Sequence, residues 1–264
     1  MIAALRYESV RVLTVRSTWI CLALTLVGVA ALAFLATSPV FLAEPGPGVE
    51  PTVLWWDSFA QPLLLTTILA SVVAAQNLGQ EYRFGIVRLT LTAFPRRGRI
   101  LVAKAVSVIA VGLVFTAVSY LASWIGVALH GYPVPPATAP PADSTLLLRG
   151  AALVVLWSLS AWALAGITRQ TAIGIAVPIV SGLIVEQILS AVLRDRVGWL
   201  VDVLPWSSAS RWAAVAADSG GTAPAGGTAE LVQPPVGWSA LGVFGCWVLA
   251  FVVLEVVSFL RRDA

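Results

Sequence analysis

The chain has 264 residues, 59% of them hydrophobic and 11% charged, with 16 Lys and Arg against 13 Asp and Glu. A soluble domain carries about 25% charged residues, so this composition excludes an ordinary water-soluble enzyme or binding module. Apolar runs reach the roughly 20 residues that cross a bilayer, without the short alternating segments of a transmembrane barrel, and the expected fold is an all-α polytopic membrane protein.

Arg6, Arg11 and Arg16 precede the first apolar run. That run, Trp19 to Ala36, is longer than the apolar core of a signal peptide, about 7–15 residues, and reads as a retained span over 17–37. The loop that follows holds Pro39, Pro45, Pro47 and Pro51 with Glu44, Glu50 and Asp57. A second span is expected over 59–79. At 100° per residue, Thr66, Gln76, Asn77 and Gln80 share about a third of its circumference. Such a polar stripe must face protein or water. It fits the wall of a transport path and equally a helix–helix contact.

Residues 80–104 form the most basic loop. Within it, Tyr82, Ile86 and Leu89 recur at i, i+4 and i+7, predicting a helix with an apolar stripe. Glu81, Arg83, Arg88 and Arg97 form a charged frame around the stripe. Pro95 ends this helix, and Arg96, Arg97, Gly98 and Arg99 make a basic turn. An amphipathic helix of this kind suits docking onto a protein surface or onto anionic lipid headgroups.

The third span is expected over 105–129. A proline-rich loop, PVPPATAPPAD, then leads to spans over 146–167 and 172–190. The segment 191–237 is the longest connection. In it Trp199, Leu200, Val203, Leu204 and Trp206 alternate with Arg196, Asp202 and Ser207, predicting a short interfacial or re-entrant helix that ends near Pro205. The stretch SGGTAPAGGT follows, and the sixth span covers 238–260.

Orientation follows from the basic residues. With both termini cytoplasmic, Arg6, Arg11, Arg16, Arg83, Arg88, Arg96, Arg97, Arg99, Lys104, Arg169, Arg261 and Arg262 lie inside. Arg149, Arg194, Arg196 and Arg211 lie outside, a division of twelve against four among the 16 basic residues. The positive-inside rule requires that asymmetry, and basic segments between spans read as topology signals rather than nucleic-acid sites. Trp55, Trp56, Trp124, Trp199, Trp206, Trp212 and Trp238 are then expected near the outer interface.

Chemistry is sparse. Lys104 is the only lysine and follows Val102 and Ala103, so the chain has no P-loop and no ATP site of that kind. His130 is the only histidine, no cluster has metal-ligand spacing, and no catalytic residue is expected. Cys21 and Cys246 read as small buried hydrophobes. Glu186 and Glu255 lie near span ends, where each is expected to reach the interface or pair with Arg149, Arg194 or Arg262. Glu186 leaves open a proton-coupled secondary transporter, although such a carrier would want a carboxylate near the midplane. A non-transport sensor or assembly protein is also compatible.

The pattern Glu81-Tyr82-Arg83, Gly85, Arg88, Thr90-Leu91, Pro95-Arg96-Arg97 and Lys104, with Phe259-Leu260-Arg261-Arg262-Asp263 at the end, resembles the membrane permease subunits of ABC-2 type transporters. Those permeases often have Gly-Thr where this chain has Gly85-Ile86. The resemblance implies a bacterial cytoplasmic membrane and a separate ATPase partner in two copies, carrying the ATP and Mg, so that no cofactor belongs to this chain. It also implies a second permease subunit, identical or homologous. The loop between spans two and three would be a coupling helix, with Glu81, Tyr82, Arg83, Ile86, Arg88, Leu89, Arg96 and Arg97 at the ATPase contact. Spans two and five would border the substrate path, bringing in the polar stripe and Glu186. Because the deep spans carry almost no charge, the expected substrate is hydrophobic or amphipathic.

Overall fold

The computed structural model describes residues 2–38, 58–59, 62–93, 97–131, 146–209 and 238–262. Among them every regular element is helical, and six helices are long and apolar enough to cross a membrane. They are α2 (Arg16–Ala36), α3 (Leu63–Arg83), α5 (Arg97–Ala128), α6 (Leu146–Thr168), a composite fifth span and α9 (Trp238–Arg262). Two shorter helices are α1 (Ile2–Thr14) and α4 (Val87–Ala93). The expected features of the loops 39–57, 132–145 and 210–237, with Pro95 and Arg96, lie outside the described residues.

Helices α3 and α6 form the centre, each 61% buried over its apolar window, against 22% for α2, the fifth span and α9. Small residues set the close approaches. A Cβ on Gly126 of α5 would stand 2.4 Å from the Ala30 carbonyl of α2, so only glycine lets these two backbones meet. At the same end of that pair the His130 ring stacks on Phe34 with centroids 4.0 Å apart, and its Nε2 lies 2.6 Å from the Phe34 carbonyl.

The residues before the first span, read in the sequence only for their basic charge, have regular structure. They form helix α1, with Ala4, Glu8 and Arg11 on its inward face at i, i+4 and i+7. Helices α3 and α5 also run past the charges expected to bound them. Helix α3 continues through Glu81 to Arg83, and α5 begins at Arg97, seven residues before Lys104. The charges tolerate this because they are paired inside the bundle.

The helix expected to carry Tyr82, Ile86 and Leu89 on one stripe is broken. Helix α3 ends at Arg83, and Gly85 adopts a left-handed φ of 67°. The Gly85 amide donates to the Tyr82 carbonyl at 3.2 Å and the Ile86 amide to the Glu81 carbonyl at 2.9 Å. These are the two bonds of a Schellman cap, which stops a helix at a glycine. The chain then restarts as α4.

Span five is built in pieces. Helix α7 (Thr171–Val180) contains Pro178, which cannot donate a backbone bond, and a π turn follows at Ser181–Val185. Helix α8 (Glu186–Val203) kinks at Val197, where φ and ψ are −144° and 59°. Residues 205–209 are helical again and buried. Trp206 packs on Gly182, where a Cβ would lie 3.0 Å from its own Cβ, and stacks on Phe251 at 6.3 Å. The chain therefore turns back into the bundle after Val197. Trp206, expected in an interfacial belt, is a core residue, whereas Trp199 is exposed. Cys21 is buried as expected, but Cys246 faces outward, because it falls on the outer side of α9.

The glycine cap gives a direct test. A Cβ at Gly85 would touch nothing within 4 Å, so substitution there exacts only the left-handed conformation. Gly85→Ala should lower stability by about 1–2 kcal/mol. Gly98→Ala, at an equally open but right-handed helical site, should be neutral or stabilising by about 0.5–1 kcal/mol. Thermal unfolding in detergent distinguishes the two, and equal effects would remove the role assigned to Gly85.

Candidate functional site

Where α1, α3 and α5 meet, four charged side chains form one buried cluster. Helix α1 brings Glu8 and Arg11, which are three residues apart and so share a face. Helix α3 brings Asn77 and Glu81 from consecutive turns, and α5 brings Lys104. The Lys104 ammonium lies 2.7 Å from Glu8 Oε1 and 2.6 Å from Glu81 Oε1. The Arg11 guanidinium lies 2.5 Å from the same Glu81 oxygen and 3.7 Å from Glu8. Asn77 donates to Glu8 Oε2 at 3.1 Å and to Ser107 Oγ at 3.2 Å, and Ser107 in turn donates to the Lys104 carbonyl at 2.7 Å.

The set balances two cations against two carboxylates, and three of its four members are buried. Glu8, Glu81 and Lys104 are each at most 2% exposed. Leu78, Ile100, Leu101, Ala103 and Val108, close to these residues along α3 and α5, belong to one buried apolar core. In such surroundings an unmatched charge costs several kcal/mol even after relaxation. Four matched charges bonded to three separate helices therefore hold those helices in one arrangement.

The cluster abuts the turn that carries the expected docking stripe. Glu81 supplies its carboxylate to Lys104 and its carbonyl to Ile86. Contrary to the frame expected around that stripe, Glu81 points inward. Tyr82 is half-buried beneath the Arg169 guanidinium, 5.2 Å above its ring. Arg83 is exposed and sits 5.6 Å over the Phe84 ring. The exposed apolar group consists of Phe84 at 64%, Ile86 at 38% and Leu89 at 70% exposure. The side chains of Arg88 and Arg97 lie outside the described residues, as does Arg96 altogether.

The polar stripe of α3 is distributed among three neighbours. Thr66 bonds Ser119 of α5 at 2.8 Å, and Gln76 accepts from Ser17 of α2 at 2.5 Å. Asn77 belongs to the charge cluster. Gln80 lines a crevice of about 20 Å³ together with Arg11, Gln76 and Asn77.

Glu186 is remote from this cluster. Its carboxylate accepts the backbone amide of Ser207, on the segment that turns back after Val197. It is buried, and the Arg194 side chain lies outside the described residues. Glu255 lies elsewhere, on α9. It is fully buried against α6, where a Cβ on Gly166 would lie 2.2 Å from its carboxyl carbon.

Sequence reasoning missed Glu8 and the burial of Lys104. The available signal was a lone lysine next to a purely apolar run, together with a carboxylate on the same helical face as Ala4 and Arg11. No family model matches the chain, and comparison with curated proteins found no match. Among the described residues no group of three or more His, Cys, Asp and Glu is placed to hold a metal ion.

The cluster predicts a compensation pattern. Lys104→Met leaves two buried carboxylates sharing one arginine and should cost about 3–5 kcal/mol. Adding Glu8→Gln restores neutrality around the Arg11–Glu81 pair and should recover most of that loss. The measurement is the thermal midpoint of each variant in detergent. Additive losses in the double variant would mean that the charges do not act as a unit.

Proposed function

We propose that this chain is the permease subunit of an ATP-driven exporter of the ABC-2 type, working in a bacterial cytoplasmic membrane with both termini in the cytoplasm. The observation that carries the reading is the turn at the end of α3. Phe84, Ile86 and Leu89 expose apolar side chains on a glycine-capped turn. Its first residue is fixed to α1 and α5 through the buried cluster. An exposed apolar group on a rigid support is what a docking contact requires, with buried anchors holding the complex and surrounding charge setting register.

In this reading a separate ATPase, in two copies, binds and hydrolyses Mg-ATP and pushes on the turn. The push passes through Glu81 to Lys104 and Glu8, so α1, α3 and α5 move together. A second permease, identical or homologous, completes the path. The substrate is hydrophobic or amphipathic, since the buried charges of this chain are already matched or packed rather than lining an open polar channel.

Two experiments test it. Purification from the native host, followed by identification of co-purifying chains, should recover a protein with P-loop motifs in near-equal amount. Ile86→Asp and Leu89→Asp should lose it while keeping membrane abundance, because each puts an unpaired charge into the contact. Recovery of no such ATPase, or retention by both variants, overturns the reading. For orientation, Asp143→Cys and Gly220→Cys, made in a Cys21→Ser and Cys246→Ser background, should react with an impermeant thiol reagent in intact cells. Reaction only after lysis would invert the topology.

A further inference from the structure

Helix α1 leaves the axis of α2 at Val15, where the backbone is extended. The departure opens a groove of about 530 Å³ between α1, α2 and α5. That size lies within the range of small-molecule sites, about 300–1,000 Å³. Val106, Ala110 and Val114 form one stripe along the α5 wall, Leu5 and Leu13 face them from α1, and Leu22 closes the side at α2. From Val106 to Val114 the stripe runs about 12 Å along the helix.

The few polar groups in the groove are unequal. Ser9 donates to the Arg6 carbonyl at 3.0 Å, and Ser107 donates to the Lys104 carbonyl at 2.7 Å, so both hydroxyl protons are already committed. Arg6 is exposed at the α1 edge, and among the described residues its guanidinium has no carboxylate partner. The wall therefore asks for alkyl chain along its length and for one anion at its edge. The groove opens on the side of a bundle with six spans, next to a short amphipathic helix that joins the start of the first one. Helices of that kind lie in the interfacial plane, at headgroup depth.

We propose that this groove is a binding site for one acyl chain of an anionic phospholipid, whose net negative headgroup lies against Arg6. The lipid would fill the space beneath α1 and brace it from the side opposite the Glu8–Lys104 pair. This site is independent of any ATPase and of transport.

Native mass spectrometry of the purified chain, released from detergent after addition of phosphatidylglycerol or phosphatidylcholine with identical tails, tests it. The wild-type chain should retain one phosphatidylglycerol, about fivefold over phosphatidylcholine, the preference expected of one cationic side chain at an anionic surface. Arg6→Ala should keep a bound lipid but lose the preference. Ala110→Trp and Val114→Trp, both at exposed positions on the wall, should lose the lipid. Ile109→Trp, exposed on the same helix but outside the groove, should retain it. Equal retention of the two lipids by the wild-type chain, or equal retention by the Ala110, Val114 and Ile109 variants, would show annular lipid only and overturn the proposal.

Discussion

The arrangement of this protein depends on neutralising Lys104. A lysine only 1% exposed is tolerable only with carboxylates in direct contact. Glu8 and Glu81 supply them, and Arg11 balances the second carboxylate. Because the four charges come from α1, α3 and α5, the electrostatic requirement becomes a geometric one. Helix α1 cannot lift away without parting Glu8 from Lys104 and Arg11 from Glu81, and α3 cannot slide without parting Glu81 from both cations. Replacing the cluster with apolar residues of equal volume could cost little stability. What the charges add is specificity, since only one arrangement of three helices pairs them all.

The opposite ends of α2 and α5 are joined differently. There the contact is between Gly126 and the backbone at Ala30, with His130 stacked on Phe34. Close backbone approach and stacking have no net charge to balance, so they set distance rather than register. The α2–α5 pair is thus tied near both ends, by α1 and its ion pairs at one and by packing at the other. Between them α1 diverges at Val15 and leaves the apolar groove.

The six spans were legible because their signal is composition over about 20 residues, which tertiary contacts do not alter. The break after Arg83 was only half legible. Gly85 stood in the sequence, but the i, i+4, i+7 spacing of Tyr82, Ile86 and Leu89 fits one continuous helix just as well, and the left-handed φ decides between them. The charge cluster was not legible because its partners are non-local. Lys104 meets Glu8 across 96 residues and Glu81 across 23. Counted singly, Arg11 and Lys104 look like topology signals, and Glu81 like a surface frame. Trp206 was only half legible for a related reason. Its alternation with polar residues fits an interfacial and a re-entrant helix alike, and only the kink at Val197 and the packing on Gly182 show that it turns inward.

The fifth span contrasts with the cluster in a way that bears on how the chain can move. Around Lys104, three continuous helices are cross-linked by several charge-assisted bonds, which are short and directional. In span five the helix is interrupted at Pro178, at the π turn and at Val197, and the returning segment is held by Glu186, which accepts from the Ser207 amide, and by the packing of Trp206 on Gly182 and Phe251. Kinks of this kind have identifiable causes in missing or rerouted backbone bonds, and the elements that change position in proteins are drawn from their least stable parts. The two sides of the bundle are built differently, with ion pairs between three continuous helices around Lys104 and breaks within one span around Gly182, Glu186 and Trp206.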